Sequence, residues 1–384
     1  MNVIETAADM SLLLALLHGA WWTVLSTAAM VRPQPEATRS ERLQLVVIVP
    51  AHNEESLIEA CLRSLQAADT AAAREVIVVA DNCTDRTAAV ARLAGTTVLE
   101  RHDATRRGKS FALDYALQQL AARPQHPDAV LFVDADTTVS STFYTAIERR
   151  LADGALAVQV HYEAARGETA LGRLRRIAFL LIHWSRPLGA SRLGLGTTLK
   201  GNGMALRWDV VARGFAGAGL AEDADMTLRL VRQGIPVTFE PVASVTGYMA
   251  QRYAAARTQD DRWERGRFAL MPRALALAVG ALARGDVAAA AGALEVASLP
   301  LSLVVALTFG GGVLAIAGQG SIVLAFAAAA SVGCYLVVGA AAARVPLSEL
   351  TSLSAVPRYL WHKARVYARV LARPAGGWER TRRS

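Results

Sequence analysis

Long apolar runs stand near both ends of the chain, and an alternating pattern fills the middle. "SLLLALLHGAWWTVLSTAAMV" (11–31), "VASLPLSLVVALTFGGGVLAIAG" (296–318) and "SIVLAFAAAASVGCYLVVGAAAA" (321–343) contain no Asp, Glu, Lys or Arg. Each reaches the roughly 20 residues that cross a bilayer, so each predicts a span. Between them, short apolar runs predict buried strands: "LQLVVIVP" (43–50), "EVIVVAD" (75–81), "GTTVLER" (95–101), "AVLFVDAD" (129–136) and "ALAVQVHYE" (155–163). Helix-spaced segments separate them. "NEESLIEACLRSLQAAD" offers Asn53 as N-cap, and "CTDRTAAVARLAG" offers Thr84 or Asp85 as cap and Gly95 as stop. "GKSFALDYALQQLAAR" and "SSTFYTAIERRLAD" complete the alternation. Strands alternating with helices predict a doubly wound α/β sheet, which binds ligands at the carboxyl ends of its strands. The polar clusters "AHNEE", "DNCTD" and "DADTT" fall at those ends.

Composition and charge extend this picture. The chain is 53% hydrophobic, above the roughly 45–50% of soluble domains. A cleaved leader needs basic residues ahead of its apolar core. Here Glu5 and Asp9 precede the first run, and Arg32, Arg39 and Arg42 follow it, so an anchor is expected. The last run leads into Arg344, Arg358, Lys363, Arg365, Arg369, Arg373, Arg380, Arg382 and Arg383, and "GQG" joins the last two runs as a hairpin. The positive-inside rule then puts the N-terminus outside and the middle domain and tail in the cytoplasm, as in a protein of the inner cell membrane. The net charge of +8 is crowded beside the runs, which favours a membrane surface over nucleic acid. The three cysteines, Cys61, Cys83 and Cys334, lack metal or disulfide spacing and suit a reducing compartment.

The expected organisation is an anchor and linker at 1–42, a catalytic α/β domain at 43–250, and interfacial helices at 251–292. A transmembrane hairpin at 293–343 and a basic juxtamembrane tail at 344–384 follow. The linker "RPQPEATRSER" (32–42) is polar, with two prolines. The alanine-rich stretch 274–293 reads as amphipathic or interfacial helix.

The candidate chemistry begins at Asp134 and Asp136. Two carboxylates this close repel unless a cation sits near them, and Mg²⁺ or Mn²⁺ takes carboxylate together with phosphate oxygens. A pair of loop or helix-capping acids is the plainer alternative. Rival phosphate sites fail on spacing. "GKS" (108–110) lacks the earlier P-loop glycine because Asp103 stands there, and "GNGMAL" (201–206) lacks the third glycine of a dinucleotide fingerprint. No histidine cluster suggests zinc, and no G-x-S-x-G suggests a serine hydrolase.

Seven motifs occur in order: "VIVPAHNEE", "VVADNCTDRT", "RRGKSFAL", "VDADT", "KGNGMALR", "AEDADMTLRL" and "QDDRWERGR". Over residues 45 to 270 they resemble the membrane-bound, inverting family-2 glycosyltransferases of the GT-A fold. That group includes the cellulose, hyaluronan and poly-N-acetylglucosamine synthases and the ceramide glucosyltransferases. The resemblance implies that Pro50, His52 and Glu54 border uracil and ribose, and that Asp81 bonds the uracil ring. It puts Lys109 near the diphosphate, with Arg107 a weaker candidate. Asp136 would ligate the metal, and Asp134 would face ribose, donor sugar and metal. Ala221 stands where the family's "TED" has threonine. Asp223 takes the role of general base, with Glu222 orienting the loop beside it. Asp225 reads as a helix cap, and Asp85 as a cap more than a ligand. Gln259 and Arg262 of "QDDRW" would hold the diphosphate, and Trp263 would floor the acceptor site. Gly201, Asn202 and Gly203 would touch the sugars.

The expected reaction is transfer from a UDP-sugar, with Mg²⁺ or Mn²⁺, to a hydroxyl of a membrane-associated lipid or glycan. Three spans are few for a translocation channel, which favours transfer of one or a few sugars. A polysaccharide synthase working as a homo-oligomer or with partner subunits is the alternative. A catalytically dead nucleotide-sugar-binding subunit is another, though neither the base nor a metal aspartate is missing.

Overall fold

The computed structural model describes residues 2–32, 42–68, 74–215, 221–249 and 253–372, without the side chains of 254, 255 and 258. Most of the predicted linker, and Arg373, Arg380, Arg382 and Arg383 of the tail, lie outside the described residues.

The chain runs α1 (Val3–Val31), β1 (Leu45–Ala51), α2 (Ile58–Ala67), β2 (Glu75–Asp81), α3 (Thr87–Leu93), β3 (Thr97–Arg101) and α4 (Lys109–Ala121). β4 (Ala129–Phe132), β5 (Thr137–Val139), α5 (Phe143–Ala152), β6 (Ala157–Ala164) and α6 (Ala170–Leu180) follow. A π turn, Leu181–Ser185, joins α6 to α7 (Arg186–Arg192). Then come β7 (Met204–Arg207), α8 (Trp208–Val211), α9 (Glu222–Arg232) and β8 (Val237–Gly247). The last helices are α10 (Tyr253–Ala283), α11 (Val287–Ala297), α12 (Leu301–Ile316), α13 (Ile322–Ala342) and, after a 3₁₀ segment at Leu347–Ala355, α14 (Val356–Ala372).

The described strands form one mixed sheet in the order β3-β2-β1-β4-β7-β6-β8-β5, with β3, β2, β1 and β4 parallel and β7 antiparallel to its neighbours. Alternation along β1 splits the core between the two faces. Val47 and Val49 pack with Ile58, Leu62 and Ile147 on one side. Val46 and Ile48 pack with Leu113, Leu117 and Leu230 on the other. The predicted strands and the α/β class are all present.

Of three expected helix caps, two change. Asn53 is not a helix cap: it sits at φ 55°, and α2 begins only at Ile58. Its side chain instead accepts from Thr84 N–H at 2.7 Å, pinning the loop after β1 to the loop after β2. Asp85 does act at the start of α3, accepting from Thr87 N–H at 3.0 Å. Asp225 is no cap, because α9 already begins at Glu222; its carboxylate pairs with Arg273 of α10.

The apolar helices also depart from the predicted spans. α1 starts eight residues before the apolar run, because Asn2 and Glu5 form a reciprocal capping box. The predicted span 296–318 is broken, with α11 and α12 meeting at 72°. Pro300 causes the break: it lacks an N–H and disfavours helix in the residue before it. The stretch 274–293 is likewise two helices, divided at Gly285, whose φ is 74°. Gln259–Ala283 of α10 is itself long and apolar enough to cross a membrane. Among the described residues three helices meet that test, or four if the bent pair is one span.

The helical bundle joins the sheet at one end. Asn2 bonds Gln319 and Asp9 bonds the Ser321 N–H, so the start of α1 meets the tip of the α12–α13 hairpin. At the opposite end Ala29 of α1 and Ala342 of α13 pack with Leu188 and Phe239, next to the sheet.

Candidate active site

The acidic pair hangs from the end of β4. After Phe132 the chain turns, and Thr137 N–H donates to the Asp134 carbonyl at 3.1 Å. Ala135 is buried in the core, which anchors the turn and leaves the flanking Asp134 and Asp136 half-buried. Asn202, just ahead of the adjacent strand β7, braces it. Its Oδ1 accepts from Asp134 N–H at 3.1 Å, and its amide donates to Thr137 Oγ1 at 2.8 Å. The resemblance puts Asn202 against the sugars, but this side chain is 1% exposed and committed at both ends to the acidic turn.

Lys109, the first residue of α4, reaches into this turn. Its ammonium donates to the Asp134 carboxylate and the Gly201 carbonyl, and lies 3.9 Å from Glu222 Oε1. Burial lowers its pKa, but Asp134, Glu222 and Asp223 outweigh that and hold it above the ordinary value. The two acids stand in the first turn of α9, where the helix dipole favours negative charge. Burial nevertheless dominates. It pushes Glu222 up to about 7, with Lys109 opposing and Asp223 adding. Asp223 is raised by burial too, against the pull of the Ala224 N–H, Lys109 and Lys200. Gly201, at φ 79°, packs so closely that a Cβ there would sit 3.3 Å from Asp223 Oδ2.

The residues assigned to the nucleotide lie at the ends of β1 and β2. Asp81 is buried, and its carboxylate takes Arg101 Nη1 at 2.6 Å and the Asn82 amide at 2.9 Å. His52 Nδ1 lies 2.7 Å from the Asp81 carbonyl, to which it donates. Glu54 N–H donates to Thr87 Oγ1 at 2.8 Å. Pro50 sits in β1 opposite Val79 of β2, half-buried. Arg107 is exposed.

Lys109, Asp134, Gly201, Asn202, Glu222 and Asp223 thus form one connected cluster. Gln259, Arg262 and Trp263 lie half-buried on α10. Among the described residues Gln259 bonds Arg175 at 3.1 Å, not the acid–lysine cluster. Arg175 Nη1 also donates to both carboxylate oxygens of Asp260, which His362 of α14 meets at 3.1 Å.

Three residues of the cluster escape sequence reasoning. Thr227 is fully buried, accepts from Leu199 N–H at 3.0 Å and donates to the Asp223 carbonyl at 2.9 Å. Gln159 is 1% exposed, donates to the Asn202 carbonyl at 2.8 Å and accepts from Lys200 N–H at 2.8 Å. Lys200 belongs to the same loop, between Leu199 and Gly201. Gln159 had a signal: a polar residue between Val158 and Val160, in the apolar first half of β6, needs a buried partner.

The donor set can be tested for a divalent cation. Two half-buried carboxylates flank the turn, and Lys109 already engages Asp134. Among the described residues no group of three or more His, Cys, Asp or Glu side chains could enclose a metal alone. That chemistry fits a cation shared between this acidic turn and oxygens of a bound ligand.

Residues 43–266 match the family described as "Glycosyltransferase like family 2". The chain belongs to this family. "Probable glycosyltransferase YdaM" of Bacillus subtilis (strain 168) is 25% identical over 246 residues, covering 61% of this chain. The chain spans only 57% of the length of that relative. Among solved structures, the mannosyltransferase PcManGT from Pyrobaculum calidifontis, in complex with GDP-Man and Mn²⁺, is similar with a TM-score of 0.56. The match covers 88% of this chain and 98% of that one at 19% identity, a likeness of fold. A glucosyl-3-phosphoglycerate synthase from Mycobacterium tuberculosis, with Mn²⁺ and UDP bound, overlaps less, with a TM-score of 0.37, 24% identity and 59% and 72% of the two chains.

Proposed function

We propose that this family-2 chain is an inverting glycosyltransferase that moves a sugar from a UDP-sugar to a hydroxyl of a membrane-associated lipid or glycan. The observation that carries this reading is the convergence of Lys109 on Asp134, Gly201 and Glu222, with Asp223 against the same glycine. Donor charge and acceptor base are thereby joined in one small volume.

Asp223 accepts the proton of the acceptor hydroxyl as that oxygen attacks the anomeric carbon. A carboxylate so placed contributes about 10²–10⁴-fold. The bond from the anomeric carbon to the diphosphate oxygen breaks, the diphosphate departs with the electron pair, and the configuration inverts. Lys109 stabilises the leaving charge. Mg²⁺ or Mn²⁺ held by Asp136, with Asp134 beside it, would neutralise the diphosphate further. Pro50, His52, Glu54 and Asp81 border the nucleoside, and Gly201 lines the sugar side. Gln259 and Arg262 serve the diphosphate, where arginine's planar fork suits phosphate oxygens. Trp263 offers an indole face to the acceptor ring.

The apolar helices support a membrane setting. The start of α1 and the hairpin tip share one end of the bundle, while the catalytic sheet meets the other. With the basic segment after α13, this favours a cytoplasmic catalytic domain and an N-terminus outside, in the inner membrane.

The test is a donor screen in detergent with Mg²⁺ or Mn²⁺, a panel of UDP- and GDP-sugars and membrane lipid extract, read as nucleotide release and product mass. Transfer from a UDP-sugar, abolished in Asp223→Asn with UDP binding retained, is expected. Near-normal turnover by that variant would overturn the base assignment. A ladder of long products would favour a processive synthase.

A further inference from the structure

The loop that touches Asp223 is tied as well to helices on the membrane side. Leu199 reaches the Asp223 carbonyl through Thr227, and Gly201 packs on the carboxylate itself. Between them, the Lys200 side chain is only 13% exposed and its ammonium lies 3.9 Å from Glu295 Oε1 of α11. Glu295 also receives Arg186 of α7 at 3.5 Å, and Arg186 lies 4.7 Å over the Trp22 ring of α1. One carboxylate therefore meets two cations at the seam between the apolar helices and the catalytic sheet.

A lysine in a dry site sheds its proton unless a counter-charge keeps it. Burial pushes Lys200 down to about 8; Glu295 and Asp223 oppose the fall, and Arg186 and Arg267 add to it. The charged and titratable groups facing Lys200 are Asp223 on α9, Glu295 on α11, Arg186 on α7, Arg267 on α10 and His183 on the π turn. Those facing Asp223 are Lys109 on α4, Lys200 and the adjacent Glu222.

We propose that Lys200 is a positioning residue for the base: Glu295, on the membrane side, holds its ammonium in the loop that packs on Asp223, and that charge favours the form of Asp223 that accepts the proton. The inference rests on Asp223 being the base, and one experiment separates the two. The full-length protein is assayed in detergent for kcat/KM against pH, with UDP binding by calorimetry as a check on folding. Lys200→Gln is expected to move the acid limb up by about one pH unit, a roughly tenfold loss along that limb, with UDP binding kept. Lys200→Arg is expected to restore the wild-type acid limb. Glu295→Gln is expected to move the acid limb up in the same direction by a smaller step, because the Lys200 ammonium is then no longer held in place. A wild-type acid limb in Lys200→Gln, with Asp223→Asn inactive, overturns the proposal and leaves the base in place. Turnover by Asp223→Asn removes the base itself. Should Lys200→Gln not fold, an unmoved acid limb in Glu295→Gln overturns the proposal.

Discussion

Asn202 Oδ1 accepts the Asp134 backbone N–H at 3.1 Å, a bond between residues 68 apart in sequence. With its amide on Thr137, Asn202 spans the acidic turn from both sides. Asn202→Ala strands two inward polar groups, at a cost of about 1–3 kcal/mol each where no water replaces the amide. The expected outcome is a lower Tm and weaker Mn²⁺-dependent UDP binding, while metal-independent binding changes little. Calorimetry with and without Mn²⁺ checks this. Equal loss in both arms would mean that Asn202 serves the whole fold and not the metal turn.

Gly201 is a sharper probe of the base. Its φ of 79° disfavours a side chain by about 1–2 kcal/mol, and a Cβ would press on Asp223 Oδ2 at 3.3 Å. Gly201→Ala is expected to lower kcat while leaving the KM for donor nearly unchanged. Steady-state kinetics with varied donor and fixed acceptor reads the split. A change confined to donor KM would place Gly201 on the nucleotide side instead.

Glu222 gives a pH signature. Burial raises it to about 7, whereas the unfolded chain releases that proton near the ordinary value of about 4.3. Between those values the folded state binds more protons, so the stability Glu222 contributes is fully present below about 4.3 and is lost as pH rises through 7. Asp223 shifts in the same direction. Without nucleotide or metal, Tm is therefore expected to fall with rising pH across that window, and Glu222→Gln to flatten the slope. An identical slope in the variant would assign it to other groups.

The amphipathic α14 is latched to the segment that carries Gln259, Arg262 and Trp263. His362 meets Asp260 at 3.1 Å, Lys363 meets Glu264 at 2.5 Å, and Arg369 meets Asp261 at 3.0 Å. The Lys363–Glu264 pair is buried, so removing one partner leaves an uncompensated charge, at about 3–5 kcal/mol. Lys363→Met alone is expected to lower thermal stability and activity together. The double variant Lys363→Met, Glu264→Met is expected to recover most of the stability, as read by melting in detergent. No recovery in the double variant would mean that packing, not charge, holds the latch.

The sequence by itself determined the α/β class, the succession of the central strands along the chain and the ordered motifs. Those depend on local periodicity and on residues that sit together along the chain. The run 129–136 is apolar until Asp134, so its end is readable without a partner. Tertiary structure decided what crosses sequence distance. Asn202 reads as a sugar contact in "KGNG" and becomes a brace for Asp134 only when β7 lies beside β4. Asp225 looks like a cap until Arg273 stands opposite it. The apolar run 296–318 passes every test of composition for one span, yet Pro300 and the packing of α11 against α10 turn it by 72°. Hydrophobicity sets which segments leave water, but burying charge needs partners that only the folded chain supplies. For that reason the pairing of Lys200 with Glu295, 95 residues on, was invisible in the sequence.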